Sequence, residues 1–241
     1  MKRNDNRNRD ELRKIKITKN FMRFAEGSCL FEIGNTKVVC TASVEKGVPG
    51  FLRGKGTGWV TAEYGMLPRS CNSRIAREAS KGRPGGRTQE IQRLIGRSLR
   101  AITDLKKLGE RTIWMDADVI GGDGGTRCAS ISGCFIALIL ALEKLKKEKV
   151  FNALPVSDYV AAVSVGIVGG EEMLDLTYEE DSRASVDMNI VMTGNGRLIE
   201  VQGTAEKDPF TIPELNKLVR LAKKGIGDIL TKEKKILPGK L

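Results

Sequence analysis

Two apolar rhythms alternate along the chain, and the switches between them outline its elements. Residues 26–64 follow the short rhythm of strands, at Ser28–Ile33, Thr36–Val44 and Gly58–Tyr64. Gly34-Asn35 separates the first two, a turn signal that predicts a hairpin. Met66–Gly86 is polar and rich in arginine and glycine, and reads as a long exposed loop whose length suggests a function. From Gln89 the period lengthens. Ile91, Leu94, Ile95, Leu99, Ile102 and Leu105 make one helical face, and Arg93, Arg97 and Arg100 fall on another. Arg111–Ile120 alternates as a strand. Cys128–Lys147 is apolar nearly all round, which predicts a helix buried between layers. Strands follow at Val160–Val168, Met173–Thr177, Ser185–Met192 and Arg197–Gly203. An amphipathic helix then runs over Ile212–Leu230, and Pro238-Gly239 suggests a loose tail. The pattern shows no linker and no internal repeat, so the economical reading is one α+β domain of helices on mixed sheets.

Composition narrows this. The chain has 241 residues, 40% of them hydrophobic and 29% charged, enough to bury a sizeable core. The longest apolar run, Ala129–Leu142, is broken by serine and glycine and is short for a bilayer, so no membrane association is expected. The basic start, Met1-Lys2-Arg3-Asn4-Asp5-Asn6-Arg7, has no apolar core behind it and is not read as a secretory signal. Five cysteines, an odd number without a C-x-x-C pair, act as small hydrophobes and suit a reducing cytoplasm.

The chain contains no histidine. That excludes Ser-His-Asp and Cys-His catalysis and histidine-ligated zinc, leaving carboxylates, arginines, lysines, hydroxyls or a hard metal ion. Net charge is +11 and segregated. Arg69–Arg100 holds nine bases and two acids, whereas Glu171–Asp187 holds seven acids and one base. Such a division suits a polyanion held beside a metal or proton donor, and also a plain solvated surface.

Within these tracts three constellations carry candidate chemistry. Gly85-Gly86-Arg87-Thr88 and Gly124-Gly125-Thr126-Arg127 each lead into a helix. Glycine admits close backbone approach, a helix N-terminus presents free amides, and arginine matches phosphate oxygens. G-x-x-x-x-G-K-[ST] is absent and Gly121-Gly122-Asp123-Gly124-Gly125 is no dinucleotide fingerprint, which leaves a bare phosphate held by Arg87, Arg127, the Thr126 hydroxyl and nearby amides. In Glu179-Glu180-Asp181-Ser182-Arg183-Ala184-Ser185-Val186-Asp187, a tight reversal would bring Asp181 and Asp187 to one point, to hold Mg²⁺ or to protonate a leaving oxygen. Glu179 and Glu180 read as solvated turn acids. Loop residues Arg69, Arg74 and Arg77 suit backbone contact with a single strand. For the Arg93, Arg97, Arg100 face, RNA contact and a solvated or subunit-contact face both stand.

At these residues the chain resembles the ribonuclease PH family of phosphorolytic RNA-trimming enzymes. The blocks are Ile17-Thr18-Lys19-Asn20-Phe21, Ala25-Glu26-Gly27-Ser28, Ala62-Glu63-Tyr64-Gly65-Met66-Leu67-Pro68-Arg69, Glu90-Ile91-Gln92-Arg93-Leu94-Ile95-Gly96-Arg97, Asp123-Gly124-Gly125-Thr126-Arg127 and Tyr178-Glu179-Glu180-Asp181-Ser182. The resemblance implies one domain over 1–241, with a core at 1–150 and a second half at 155–230, folded like the second domain of ribosomal protein S5. It implies a ring-forming homohexamer, a trimer of dimers, that trims the 3′ ends of tRNA precursors and other RNAs, with no DNA substrate. Inorganic phosphate would be co-substrate and Mg²⁺ a helper, nucleoside diphosphates would be released, and the reverse addition would also run. By motif, Arg87, Gly125, Thr126 and Arg127 would bind phosphate, Asp181 and Asp187 would be the catalytic and metal-holding acids, and Arg69, Arg74 and Arg77 would meet RNA. Ile120-Gly121-Gly122 departs from the family's usual Leu-Gln-Ala at the turn before Asp123. Two other classes fit the same residues: a non-catalytic RNA-binding ring subunit, and a metal-dependent hydrolytic nuclease that needs no phosphate.

Overall fold

The computed structural model describes residues 3–206 and 208–237, apart from the side chains of residues 79 and 81. The Pro238-Gly239 tail lies outside them. Five strands form the first sheet, in the order β1 (Ile15–Lys19), β2 (Gly27–Ile33), β3 (Thr36–Lys46), β5 (Arg111–Gly121) and β4 (Trp59–Met66). β2 and β3 are the expected hairpin, with Ile33 opposite Thr36 across the Gly34-Asn35 turn. Gly34 has φ +57°, which glycine adopts without a steric penalty. β1 is an addition to the sequence reading. Its five residues are at best partly covered, so no apolar alternation announces it.

β4 and β5 run parallel, from Trp59 beside Thr112 to Met66 beside Val119. Parallel neighbours require a crossover. Here it comprises the arginine-rich loop, α1 (Gly86–Arg100) and α2 (Leu105–Leu108). α1 packs on β4 and buries Ile91, Leu94, Ile95 and Leu99, the stripe its period picks out. Each such aliphatic side chain contributes roughly 1.5–3 kcal/mol when fully buried.

The second sheet has the order β7 (Glu171–Leu174), β6 (Val160–Val168), β8 (Val186–Thr193), β9 (Leu198–Ala205) and is antiparallel throughout. Only the first sheet is therefore mixed. α3 (Thr126–Lys147) lies against β2, β3 and β5 of one sheet and β6 of the other. By length and composition α3 could span a membrane, yet 83% of its most apolar window is buried inside the protein. Its apolarity serves the core. Ser132 Oγ accepts from the Ala162 amide at 3.3 Å, tying the helix to β6. α4 (Tyr178–Asp181) is one turn, and α5 (Ile212–Ile236) packs on β6, β7 and β8.

The basic N-terminal segment is part of the fold, and it corrects one expectation. Glu180, read as a solvated turn acid, is buried. Arg3 meets it with a fork, Nε to Oε1 at 2.8 Å and Nη2 to Oε2 at 2.7 Å. Burial pushes the Glu180 carboxyl up, but the Arg3 bonds and the Thr177 amide outweigh it and hold it low. The partner lies 177 positions away, beyond the reach of any local pattern. Glu179 stays exposed beside Arg183. Arg13 grips Asp175 similarly, Nε to Oδ2 at 2.9 Å and Nη2 to Oδ1 at 2.6 Å.

Candidate active site

Gly124 and Gly125 take φ +74° and +64°, turning the chain from β5 into α3. A side chain at Gly124 would strike the backbone of Leu176, Thr177 and Tyr178. Gly125 is the N-cap of a 22-residue helix, and no side chain caps it. The amides of that first turn are the orphans that attract an anion. They open on a cavity of about 350 Å³ whose lining includes Arg87, Gly125, Thr126, Arg127, Asp181 and Asp187. All six phosphate-binding and catalytic candidates read from the sequence thus share one cavity.

They come from four elements: α1, α3 with its N-cap, α4 and β8. Arg87, in the first turn of α1, is exposed, with Nη1 3.9 Å from Met66 Sδ. Thr126 Oγ1 lies 3.0 Å from the Tyr64 hydroxyl. With the phenol donating, the threonine proton stays free for a ligand. Arg127 Nη1 donates to Glu90 Oε2 at 3.3 Å and to Gln202 Oε1. Asp181 ends α4, which is fixed by a capping box between Thr177 and Glu180 and by Asp123 Oδ1 accepting from the Tyr178 amide at 3.1 Å. Asp187 is the second residue of β8, opposite Gly166 and Thr204. The chain reverses between the two aspartates, as their spacing suggests.

Electrostatically the aspartates behave as a unit. Burial pushes the Asp181 carboxyl up. Burial first, then the Asp181 charge, pushes Asp187 up to about 6, against the pull of Arg127. Like charges in a half-buried site resist joint ionisation, so the pair retains a proton far above the usual carboxylate range. A histidine-free cleft thereby acquires a carboxyl that keeps its proton above the ordinary carboxylate range.

The RNA-contact candidates scatter. Arg69, Arg74 and Arg77 are exposed on the loop. Arg77 lines a second cavity of about 800 Å³ that meets the first at Met66 and Arg87. Arg69 and Arg74 line neither. On α1, Arg93 is exposed and Arg97 Nε pairs with Glu200 at 3.2 Å. Arg100 is half-buried. Its guanidinium lies 4.3 Å from the Trp59 ring centroid and donates to the Val60 carbonyl at 2.8 Å. Stacked and bonded to the sheet, its guanidinium is tied into the packing.

Three further residues belong to the site without having been singled out. Glu90 and Gln202 hold Arg127. Glu90 could have been noticed as one of only two acids in the basic tract. Tyr178, 64% exposed, lines the mouth of the cavity. The Ile120-Gly121-Gly122 departure lies within a paired stretch. Gly121 still pairs with Lys37 and the Gly122 amide donates to Ser70 O at 2.7 Å. The left-handed residues are Gly124 and Gly125.

Helix amides, arginines and coupled carboxylates around one cleft in a two-sheet α+β fold define a phosphate-handling transferase class. Family models described as 3′ exoribonuclease family, domain 1 and domain 2, match residues 11–142 and 158–225. The chain belongs to this 3′ exoribonuclease family. It is 60% identical to ribonuclease PH of Neisseria meningitidis serogroup C, over 95% of this chain and 94% of that one. It is 58% identical to ribonuclease PH of Bacillus velezensis, over 98% and 96% respectively. The protein is thus a phosphate-dependent 3′→5′ exoribonuclease, a tRNA nucleotidyltransferase. Among solved structures it has the fold of an Archaeoglobus fulgidus exosome chain (23% identical, TM-score 0.82, covering 96% of this chain and 92% of that one). It is likewise similar to rice Rrp46 (18% identical, TM-score 0.79, covering 98% and 100%).

Proposed function

We propose that inorganic phosphate sits at the N-terminus of α3 between Arg87 and Arg127, and attacks the last phosphodiester of an RNA 3′ end. The observation that carries this is the convergence of all six candidate residues on one cavity. The bond between the terminal phosphorus and the upstream 3′ oxygen breaks, and a new bond joins that phosphorus to a phosphate oxygen. A nucleoside diphosphate leaves and the RNA is one nucleotide shorter. The arginines and the Thr126 hydroxyl neutralise charge on the phosphoryl group in flight, the main source of acceleration in such transfers. The Asp181–Asp187 pair supplies the proton taken up by the departing 3′ oxygen.

A carboxylate completed by substrate phosphate oxygens matches the coordination habit of Mg²⁺. Among the described residues no larger cluster of acids or cysteines offers an alternative. Of Asp181 and Asp187, the ionised carboxylate would hold the ion, which supplies further charge neutralisation on the phosphates, while the other keeps the proton. RNA reaches the cleft past Arg69, Arg74, Arg77, Arg93 and Arg97, with Tyr178 at the mouth as a stacking face for the terminal base. The preferred substrate in this reading is the 3′ end of tRNA, in the cytoplasm, where five unpaired cysteines are at home. The assembly is a homohexameric ring. The Archaeoglobus neighbour, an exosome chain with RNA bound to its active site, supports RNA at this cleft and a multisubunit form.

The deciding assay is incubation of the protein with a short labelled RNA, with and without phosphate. Nucleoside diphosphates should form only with phosphate. Monophosphates formed without it would overturn this mechanism in favour of hydrolysis.

A further inference from the structure

Arg127 does not stand alone at the head of α3. Its Nη1 donates to Glu90 Oε2 at 3.3 Å and to Gln202 Oε1, and Gln202 Nε2 donates to Glu90 Oε1 at 3.2 Å. Three side chains close a ring of hydrogen bonds. Each comes from a different element: α1, α3 and β9. The acid sits one turn beyond Arg87 on α1, so the two arginines lie at opposite ends of one rigid connection. β9 belongs to the second sheet and α1 packs on the first. The ring therefore spans the two layers at the point where the cavity needs them in register.

The chemistry of the ring is directional. Glu90 accepts from both neighbours. The Gln202 amide must present its oxygen to the guanidinium and its nitrogen to the carboxylate, so neither side chain can turn without losing a partner. Among the described residues Arg127 is fixed through one terminal nitrogen, which leaves Nε and Nη2 to donate to an anion. Unfixed, a guanidinium on its flexible stem would have to be ordered each time phosphate binds.

We propose that Glu90 and Gln202 are positioning residues for the phosphorolysis: a latch that holds Arg127 at its working angle and sets its spacing from Arg87. This rests on the reading of Arg127 as a phosphate ligand. The latch acts on the inorganic phosphate and not on the RNA chain.

The test is steady-state phosphorolysis of a short labelled RNA with phosphate varied, for Glu90→Ala, Gln202→Ala, Arg127→Ala and the pairwise doubles. Each latch variant should raise the KM for phosphate about tenfold or more, since small misplacements of a catalytic group cost up to about a hundredfold. RNA affinity, read by fluorescence anisotropy, should stay within about twofold. Glu90→Gln, which keeps an acceptor of the same shape, should lose less than Glu90→Ala. In the Arg127→Ala background both latch substitutions should fall silent, because they act through that side chain. An unchanged KM for phosphate in the latch variants, or an undiminished effect in the Arg127→Ala background, overturns the latch. An unchanged KM for phosphate in Arg127→Ala alone instead overturns the phosphate site itself. Preserved RNA binding and an unchanged unfolding midpoint separate both results from misfolding.

Discussion

At the scale of single residues, the site depends on charge brought to one point by backbone turns. Arg127 is the sharpest case, because it lines the proposed phosphate site and also pulls on both aspartates. Arg127→Ala should lower turnover about a hundredfold or more, the scale of losing one transition-state charge donor. Single-turnover phosphorolysis at saturating RNA and phosphate measures it, and trimming at the wild-type rate would remove Arg127 from the chemistry. This residue was legible in the sequence because its loop carries a local signature of two glycines, a hydroxyl and a guanidinium before a helix. Asp181 and Asp187 were legible for a similar reason, being joined by a short reversal. Glu180 was misread because its partner, Arg3, is placed by tertiary structure, and the contacts of Arg100 with the Trp59 ring and the Val60 carbonyl were hidden for the same reason. Local spacing gives a side chain's face. Its partner comes from the fold.

At the scale of elements, periodicity performed best where one face is buried and worst where covering is thin. α1 was read by its stripe, and the structure begins it three residues earlier, at Gly86. α3 was read by its uniform apolarity. β1 escaped because Ile15 and Ile17 are only partly covered, and β7, four residues long, was placed slightly late. α5 runs six residues beyond its reading, to Ile236, and that extra length holds Glu233. Glu233 is fully buried, and neither carboxylate oxygen has a hydrogen-bond partner among the described residues. Burial pushes its carboxyl well up, reinforced by Cys29. The folded protein therefore binds this proton more tightly than the unfolded chain. The contribution of Glu233 to stability is greatest in acid and is lost as pH rises above the ordinary carboxylate range, toward the raised folded value. Glu233→Leu should add about 1–3 kcal/mol at pH 8, the penalty of an unsatisfied buried polar group. The gain should shrink toward pH 4, where both states of the wild type carry the proton. Urea unfolding at the two pH values checks it; an equal gain at both would show that packing and not ionisation is responsible.

At the scale of the whole molecule, the α+β class followed from the mixture of periods, whereas the strand order and the parallel β4–β5 pair did not, since crossovers leave no mark on local pattern. What the sequence did expose was the segregation of its +11 charge. Arginines around the cleft are of two kinds. Arg87 and Arg127 line the proposed phosphate cavity, and Arg69, Arg74 and Arg77 stand out on the loop beside it. If the loop arginines track the RNA backbone, each releases counterions on binding and steepens the salt dependence of RNA affinity by about 0.7 in log–log slope for a single strand. Replacing all three with alanine should flatten that slope by about 2 and weaken RNAs of different sequence alike, because phosphate contacts carry no base information. The KM for inorganic phosphate should stay where it is, since Arg87 and Arg127 are untouched. Anisotropy titrations of labelled RNA in increasing KCl measure the slope, and light scattering on the same samples checks that the proposed hexamer persists. Parallel slopes for wild type and triple variant would place the RNA elsewhere on the basic surface. A flattened slope with a raised phosphate KM would mean instead that the loop shapes the cleft.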